Sequence, residues 1–167
     1  MAEGTRLLSE YGGKPPSRVR IPPSPSVDRG SAETRDVDQV QLVRDGIAAW
    51  NRGDWEAALD GLHEDIEWRI SQPLFDMPVL SHGHDGVREF WRQWAEPWEH
   101  LHVEPERLVP IEGGVAAFMR WRARGRDGVE VDQQVVFVFM ADEEDSSLTR
   151  RFIAYWDPDE AVEALHL

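Results

Sequence analysis

The sequence predicts an α+β fold, with helices covering one face of a curved antiparallel sheet. Three observations lead there. Apolar residues recur at helical spacing in the first half of the chain, around residues 36–62 and 84–98. Strand-like runs fill residues 101–156. Turn-forming pairs, Gly113-Gly114 and Asp127-Gly128, separate those runs. Helices therefore group early and strands late, which argues against a repeating parallel βαβ sheet. Helices laid on one face of a bent sheet leave a concave space between the two layers.

The first helix is expected to start near Asp36. Val37, Val40, Val43, Ile47 and Trp50 recur every three or four residues and make one apolar stripe. Gly53 is placed to stop it, because glycine adopts the left-handed C-terminal conformation without strain. Asp54 then caps a short second helix, with Trp55, Ala58, Leu59 and Leu62 inward. A strand is expected at 66–70, with Ile66, Trp68 and Ile70 on one face and Glu67 and Arg69 on the other. Pro73, Pro78 and Gly83 mark residues 71–84 as loop. A third helix begins near His84 or Asp85, buries Val87, Phe90, Trp91, Trp94 and Trp98, and is ended or kinked by Pro97. Strands follow near 101–110, 114–125, 129–141 and 148–156, with a polar turn over residues 142–147. The last helix has Asp157 as its cap, Pro158 in its first position and Glu160 three residues past the cap.

The chain has 167 residues, the size of one domain. Residues 1–35 hold Pro15, Pro16, Pro22, Pro23 and Pro25 among Gly and Ser, and read as a disordered Pro-rich tail. Residues 36–167 read as the folded domain. The net charge of −14 is uneven, at +2 over the tail and −16 over the remainder. So acidic a domain repels phosphate backbones and anionic bilayers, which argues against nucleic-acid and membrane-surface partners. With no Cys, disulfides, iron–sulfur clusters and thiol nucleophiles are excluded too. No apolar run reaches membrane-spanning length, and no secretory-type apolar stretch opens the chain, so a cytoplasmic location is expected.

Four segments carry a resemblance: GIAAWNRGDWEAALDGLHEDIEW (46–68), GHDGVREFWRQW (83–94), RWRARGRDGVEVD (120–132) and YWDPDEAVEAL (155–165). In this order they resemble the SnoaL-like family of the nuclear-transport-factor-two-like superfamily. The resemblance implies a cone-shaped, curved antiparallel or mixed sheet packed on three N-terminal helices, with a short C-terminal helix. It also implies a deep pocket inside the cone and frequent dimers through the sheet. Family members include polyketide cyclases, with distant relatives among ketosteroid isomerases and epoxide hydrolases. The positions where those relatives carry their proton-transfer groups fall at Phe137, at Ala154, and at Ile70 or Ser71.

Two carboxylates are candidates for acid/base work. Asp132 or Glu67, facing an aromatic cavity, would be desolvated and shifted toward neutral pH. The competing expectation pairs Asp132 with Arg120, Arg122 or Arg124, and Glu67 with Arg69 or solvent. His82-x-His84 and His100-x-His102 have the spacing of paired metal ligands, but no third ligand accompanies either pair, so no metal is expected. There is no Gly-rich phosphate loop and no nucleophile elbow.

The aromatic residues give the clearest hint of function. Trp68, Trp91, Trp121, Phe137, Phe152 and Trp156 come from separate elements that converge in this fold. With Ile70, Gln133, Ala154 and Tyr155 they form the expected pocket wall, suited to a small hydrophobic organic ligand. In strand 129–141 both faces turn apolar from Val135 onward, so a second face needs cover; a homodimer through the sheet would supply it, and the competing expectation is a sheet covered locally within a monomer. The expected function is small-molecule binding without a cofactor, with acid/base catalysis of isomerase, cyclase, dehydratase or hydrolase type if Asp132 or Glu67 moves a proton and Gln133 or Tyr155 steadies the developing charge. The alternative is a non-catalytic, dimeric binding or interaction module.

Overall fold

A computed structural model describes the backbone of residues 29–167, and the side chains of 34–36 and 38–167. The expected tail lies mostly outside the described residues. Helix α1 (Arg29–Asn51) starts well ahead of Asp36. Val43 and Ile47 of its stripe are buried, and Val40 and Trp50 pack against the core. The Val37 side chain is outside the described residues. Gly53, at φ 76°, ends the helix. The Asp54 carboxylate then accepts the Ala57 amide at 3.2 Å and opens α2 (Trp55–Asp60).

Strand β1 (Leu62–Ile70) starts before the expected Ile66, because a register irregularity between Leu62 and Glu67 breaks its alternation. Strand β2 (Leu80–His82) lies where only loop is expected; three residues are too few to show a period. It pairs antiparallel with β1, setting Trp68 opposite Ser81. Helix α3 (Gly83–Ala95) buries Val87, Phe90, Trp91 and Trp94. It ends before Pro97, and Trp98 begins β3 (Trp98–Ile111). A tight turn at Gly113, φ 77°, leads into β4 (Gly114–Gly125). Any side chain on Gly114 would sit 2.1 Å from the Phe139 carbonyl, so glycine is required there. Strands β5 (Glu130–Ala141) and β6 (Thr149–Tyr155) and helix α4 (Pro158–Leu165) complete the chain. Asp157 caps α4 by accepting the Asp159 amide at 2.9 Å, as its spacing predicts.

The strands form one curved open sheet in the order β2-β1-β6-β5-β4-β3. The pairing of β1 with β6 is parallel and the others are antiparallel, so the sheet is mixed. Its inner face carries Ile66 and Trp68 of β1, Val115, Met119 and Trp121 of β4, Val135 of β5, and Phe152 and Ala154 of β6. These pack with the inward faces of α1 and α3 into the main core.

The outer face differs from expectation. Val136 and Val138 of β5 are buried there with Ala161 of α4, and Ile153, Tyr155 and Leu165 pack around them. The apolar part of the second face of β5 is thus covered by the chain's own C-terminal helix. Helices lie on both faces, and this cover needs no second chain. Among the described residues, no helix is long and apolar enough to cross a membrane.

Candidate ligand-binding site

The cavity lies between α1, α3 and the inner face of the sheet, with a volume of about 110 Å³. An apolar cavity of roughly 150 Å³ is known to hold one benzene ring. The space therefore has the scale of a single small ring. It reaches the surface past Gln39 of α1 and the turn residues Ser146 and Ser147, both exposed.

Aromatic packing builds the walls. Trp68 stacks on Phe152 with centroids 3.6 Å apart and planes 12° from parallel. Trp91 of α3 meets Trp68 edge-on at 5.5 Å and 84°. Trp94, one turn further along α3, stacks on Trp156 at 4.8 Å and 22°. The edge-on Trp68–Trp91 pair matches the ring quadrupoles, adding about 0.5–1.5 kcal/mol beyond area burial, whereas Trp68 and Phe152 lie nearly face to face and gain from dispersion and burial. Asn51, next to Trp50, clamps α1 to the sheet: it donates to the Val103 carbonyl at 2.7 Å and accepts the Val103 amide at 3.0 Å.

Six of the expected wall residues line the cavity: Trp68, Trp91, Phe137, Phe152, Ala154 and Trp156. Four do not. Ile70 is only 1% exposed and belongs to the solid core. Trp121 is buried against Trp94, Trp98 and Trp156 rather than in the wall. Gln133 is exposed and donates to the Trp156 carbonyl at 2.9 Å, holding that residue instead of a ligand. Tyr155 lies on the outer face with α4, since strand neighbours alternate and both Ala154 and Trp156 turn to the cavity. Burial there pushes its phenol pKa up, helped by the nearby Glu160 charge.

The two candidate carboxylates are away from the cavity lining. Asp132 accepts a hydrogen bond from Arg120 and lies 3.9 Å from the Arg122 guanidinium, which also pairs with Glu104 at 2.8 Å. The Arg120 bond holds the Asp132 carboxyl below its ordinary range, the reverse of what proton transfer at neutral pH needs. Glu67, on the side of β1 opposite Trp68, pairs with Arg151 at 3.3 Å. His84 sits 2.8 Å from the Leu62 carbonyl through Nε2. Among the described residues, no group of three or more His, Cys, Asp or Glu side chains is arranged to hold a metal ion.

Three features of the site were not anticipated. Trp50, Leu42 and Gly46 of α1 line the cavity, as does Trp94. Gly46 was legible as an oddity: glycine inside a helix costs about 1 kcal/mol against alanine, and here a Cβ would meet no atom within 4 Å. Most telling, the indole N–H groups of Trp50, Trp68, Trp121 and Trp156 are buried without a hydrogen-bond partner. Three of these tryptophans line the cavity. A buried donor left unpaired costs roughly 1–3 kcal/mol. Among the described residues, none that lines the cavity is Asp, Glu, His, Lys, Arg or Tyr.

A sheet curved over early helices, with a hollow between them, defines a cone-type α+β protein. Residues 43–150 match the SnoaL-like domain, and the chain belongs to that family. No curated protein matches the sequence. Several solved structures share the fold. A nuclear-transport-factor-two-like protein of unknown function from Burkholderia pseudomallei is 19% identical, with a TM-score of 0.66 over 78% of this chain and 98% of that one. A Mycobacterium tuberculosis protein in complex with estradiol-17β-hemisuccinate is 16% identical, with a TM-score of 0.62 over 73% of this chain and 95% of that one. The Δ5-3-ketosteroid isomerase from Mycobacterium sp. is 19% identical, with a TM-score of 0.60 over 73% of this chain and 95% of that one.

Proposed function

We propose that this protein is a non-catalytic receptor for a small, flat, largely apolar organic molecule held in the aromatic cavity. The observation that carries the reading is the cavity wall, which is rich in aromatic side chains and, among the described residues, contains no ionisable one. A proton-transfer enzyme needs an acid or base within hydrogen-bond reach of its substrate. Asp132 and Glu67, the two carboxylates that would serve, are engaged by arginines away from the lining. The neighbour holding an estradiol derivative supports binding as the role of the hollow, although a cavity of about 110 Å³ here favours one ring over a fused steroid.

Tryptophan fluorescence and thermal unfolding with a panel of neutral one- and two-ring aromatics test the proposal. Saturable quenching together with a concentration-dependent rise in Tm supports it. A Gly46→Leu variant, which fills the cavity from α1, should keep the fold and lose both responses. Unchanged binding by that variant, or no binding by the parent protein, sinks the proposal.

A further inference from the structure

The cavity is drawn out along α1 rather than rounded. On that helix its lining runs from Gln39 to Trp50, about three turns or ~16 Å of helix axis. A void of about 110 Å³ spread over such a length is narrow throughout. The sheet repeats the same levels. Across β5 and β6, Ala141 faces Thr149, Phe139 faces Phe152 and Phe137 faces Ala154, and every one of these lines the cavity. Polarity changes along the passage. Its inner end is aromatic, at Trp50, Trp94 and Trp156. Its middle passes Gly46, where a Cβ would meet no atom within 4 Å, and then the aliphatic Val43 and Leu42. Its outer end is polar, at Gln39, Ser146 and Ser147.

The groups at the outer end select the head of a ligand. The Gln39 amide and the Ser146 and Ser147 hydroxyls each donate and accept hydrogen bonds, and so does an alcohol. The acidic residues ahead of Ser146 are turned to other uses. The Asp142 carboxylate accepts the Glu144 and Asp145 amides, and Asp145 accepts the Ser147 amide. Glu143 and Glu144 border another surface groove, beside Arg150 and Arg151. These carboxylates are not placed to grip a cation at the passage, while their charge opposes an anionic head.

We infer that the ligand is an uncharged arylalkanol, with its ring at the aromatic inner end, an unbranched aliphatic chain running past Gly46, and a terminal hydroxyl at Gln39 and Ser146. The inference rests on the binding function proposed above and specifies its ligand. A ring alone is far shorter than the passage and leaves the aliphatic part of the wall to water. A straight chain displaces that water from apolar surface, and a branched one is too wide for the space.

Homologues and isomers, titrated against the full chain by tryptophan fluorescence, test the shape and the head separately. From benzyl alcohol through 2-phenylethanol and 3-phenyl-1-propanol to 4-phenyl-1-butanol, affinity should rise about four-fold per step, the factor that ~0.8 kcal/mol per buried methylene supplies. Butylbenzene should bind about ten-fold more tightly than its branched isomer tert-butylbenzene, because a branched carbon overpacks a narrow passage. Gln39→Ala should weaken 4-phenyl-1-butanol about five-fold, the worth of one net hydrogen bond, and leave its hydrocarbon isostere pentylbenzene within about two-fold. The charged analogues 4-phenylbutyrate and 4-phenylbutylamine should bind more weakly than the alcohol. Affinity that stays flat along the series, or equal binding of the two butyl isomers, overturns the inference and leaves the receptor function standing. A preference for either charged analogue does the same, as does an equal loss of alcohol and hydrocarbon in Gln39→Ala. Failure of every compound to bind overturns both.

Discussion

Trp68 and Phe152 are direct partners across the parallel pair of β1 and β6, and their rings stack with centroids 3.6 Å apart. That contact joins the strand following the early helices to the last strand of the sheet, 84 positions later in the chain. It also forms the cavity floor where the walls from α3 and β5 meet, since Trp91 and Phe137 pack on the same two rings. Truncating either residue removes core packing and part of the site together. Trp68→Ala or Phe152→Ala should cost about 3–5 kcal/mol. Urea unfolding measures this, and the double variant should fall short of additivity by about 0.5–3 kcal/mol, the coupling expected of two residues in direct contact.

Gly46 gives a prediction of opposite sign. It sits inside α1, faces the cavity, and leaves room for a Cβ that touches nothing within 4 Å. Gly46→Ala should stabilise the protein by about 1 kcal/mol through helix propensity and lower backbone entropy in the unfolded chain. The same methyl narrows the cavity, so ligand affinity should fall while Tm rises. A stability gain without any loss of affinity would place the ligand away from α1.

The legible and illegible parts of this structure divide by the range of the interactions involved. The stripe of Val43 and Ile47, the Gly53 stop and the Asp157 cap depend on neighbours a few residues away, and spacing exposes them. Glu160 shows where that ends. Its position suits a capping box, but its carboxylate instead accepts from Ser71 Oγ and Gln72 Nε2, each at 3.1 Å, on a segment brought in by the fold. Strand parity was legible and excludes Tyr155 from a wall that holds Ala154 and Trp156. The outward pairing of Asp132 with Arg120 was legible as the competing expectation for that carboxylate. The contribution of α1 to the cavity was not, because periodicity gives the inward face of a helix but not its distance from the sheet. Nor did spacing reveal that the indole donors would be buried without partners.

Acid titration has a defined sign at Glu89. Hydrogen bonds from Arg92 and then Gln93 hold its pKa down to about 2. An unperturbed glutamate titrates near pH ~4.3. A depressed folded-state pKa means that the stabilisation is fully present above pH ~4.3 and is lost as pH falls toward 2. The group is exposed on α3, so the effect is modest and screened by salt. Glu89→Gln should therefore be less stable than the parent protein at pH 6 and converge with it near pH 2 in urea unfolding at low ionic strength. A gap that persists at pH 2 would assign the loss to packing rather than charge.

The last prediction separates a receptor from an acid/base enzyme. Asp132→Asn and Glu67→Gln keep side-chain shape and remove the only two carboxylates that sequence spacing nominates for proton transfer. Both are ion-paired with arginines and neither lines the cavity, so ligand affinity measured by fluorescence should stay within about two-fold of the parent value, below the tenfold that 1.4 kcal/mol represents. Removing Asp132 leaves Arg120 with solvent access and with Glu106 nearby, so the fold should hold. Losing one exposed ion pair costs at most about 1 kcal/mol. A ten-fold or greater loss of affinity in either variant, with Tm unchanged, would mean that the carboxylate reaches the ligand. In that case proton transfer on a bound substrate, rather than binding alone, would be the function of this cavity.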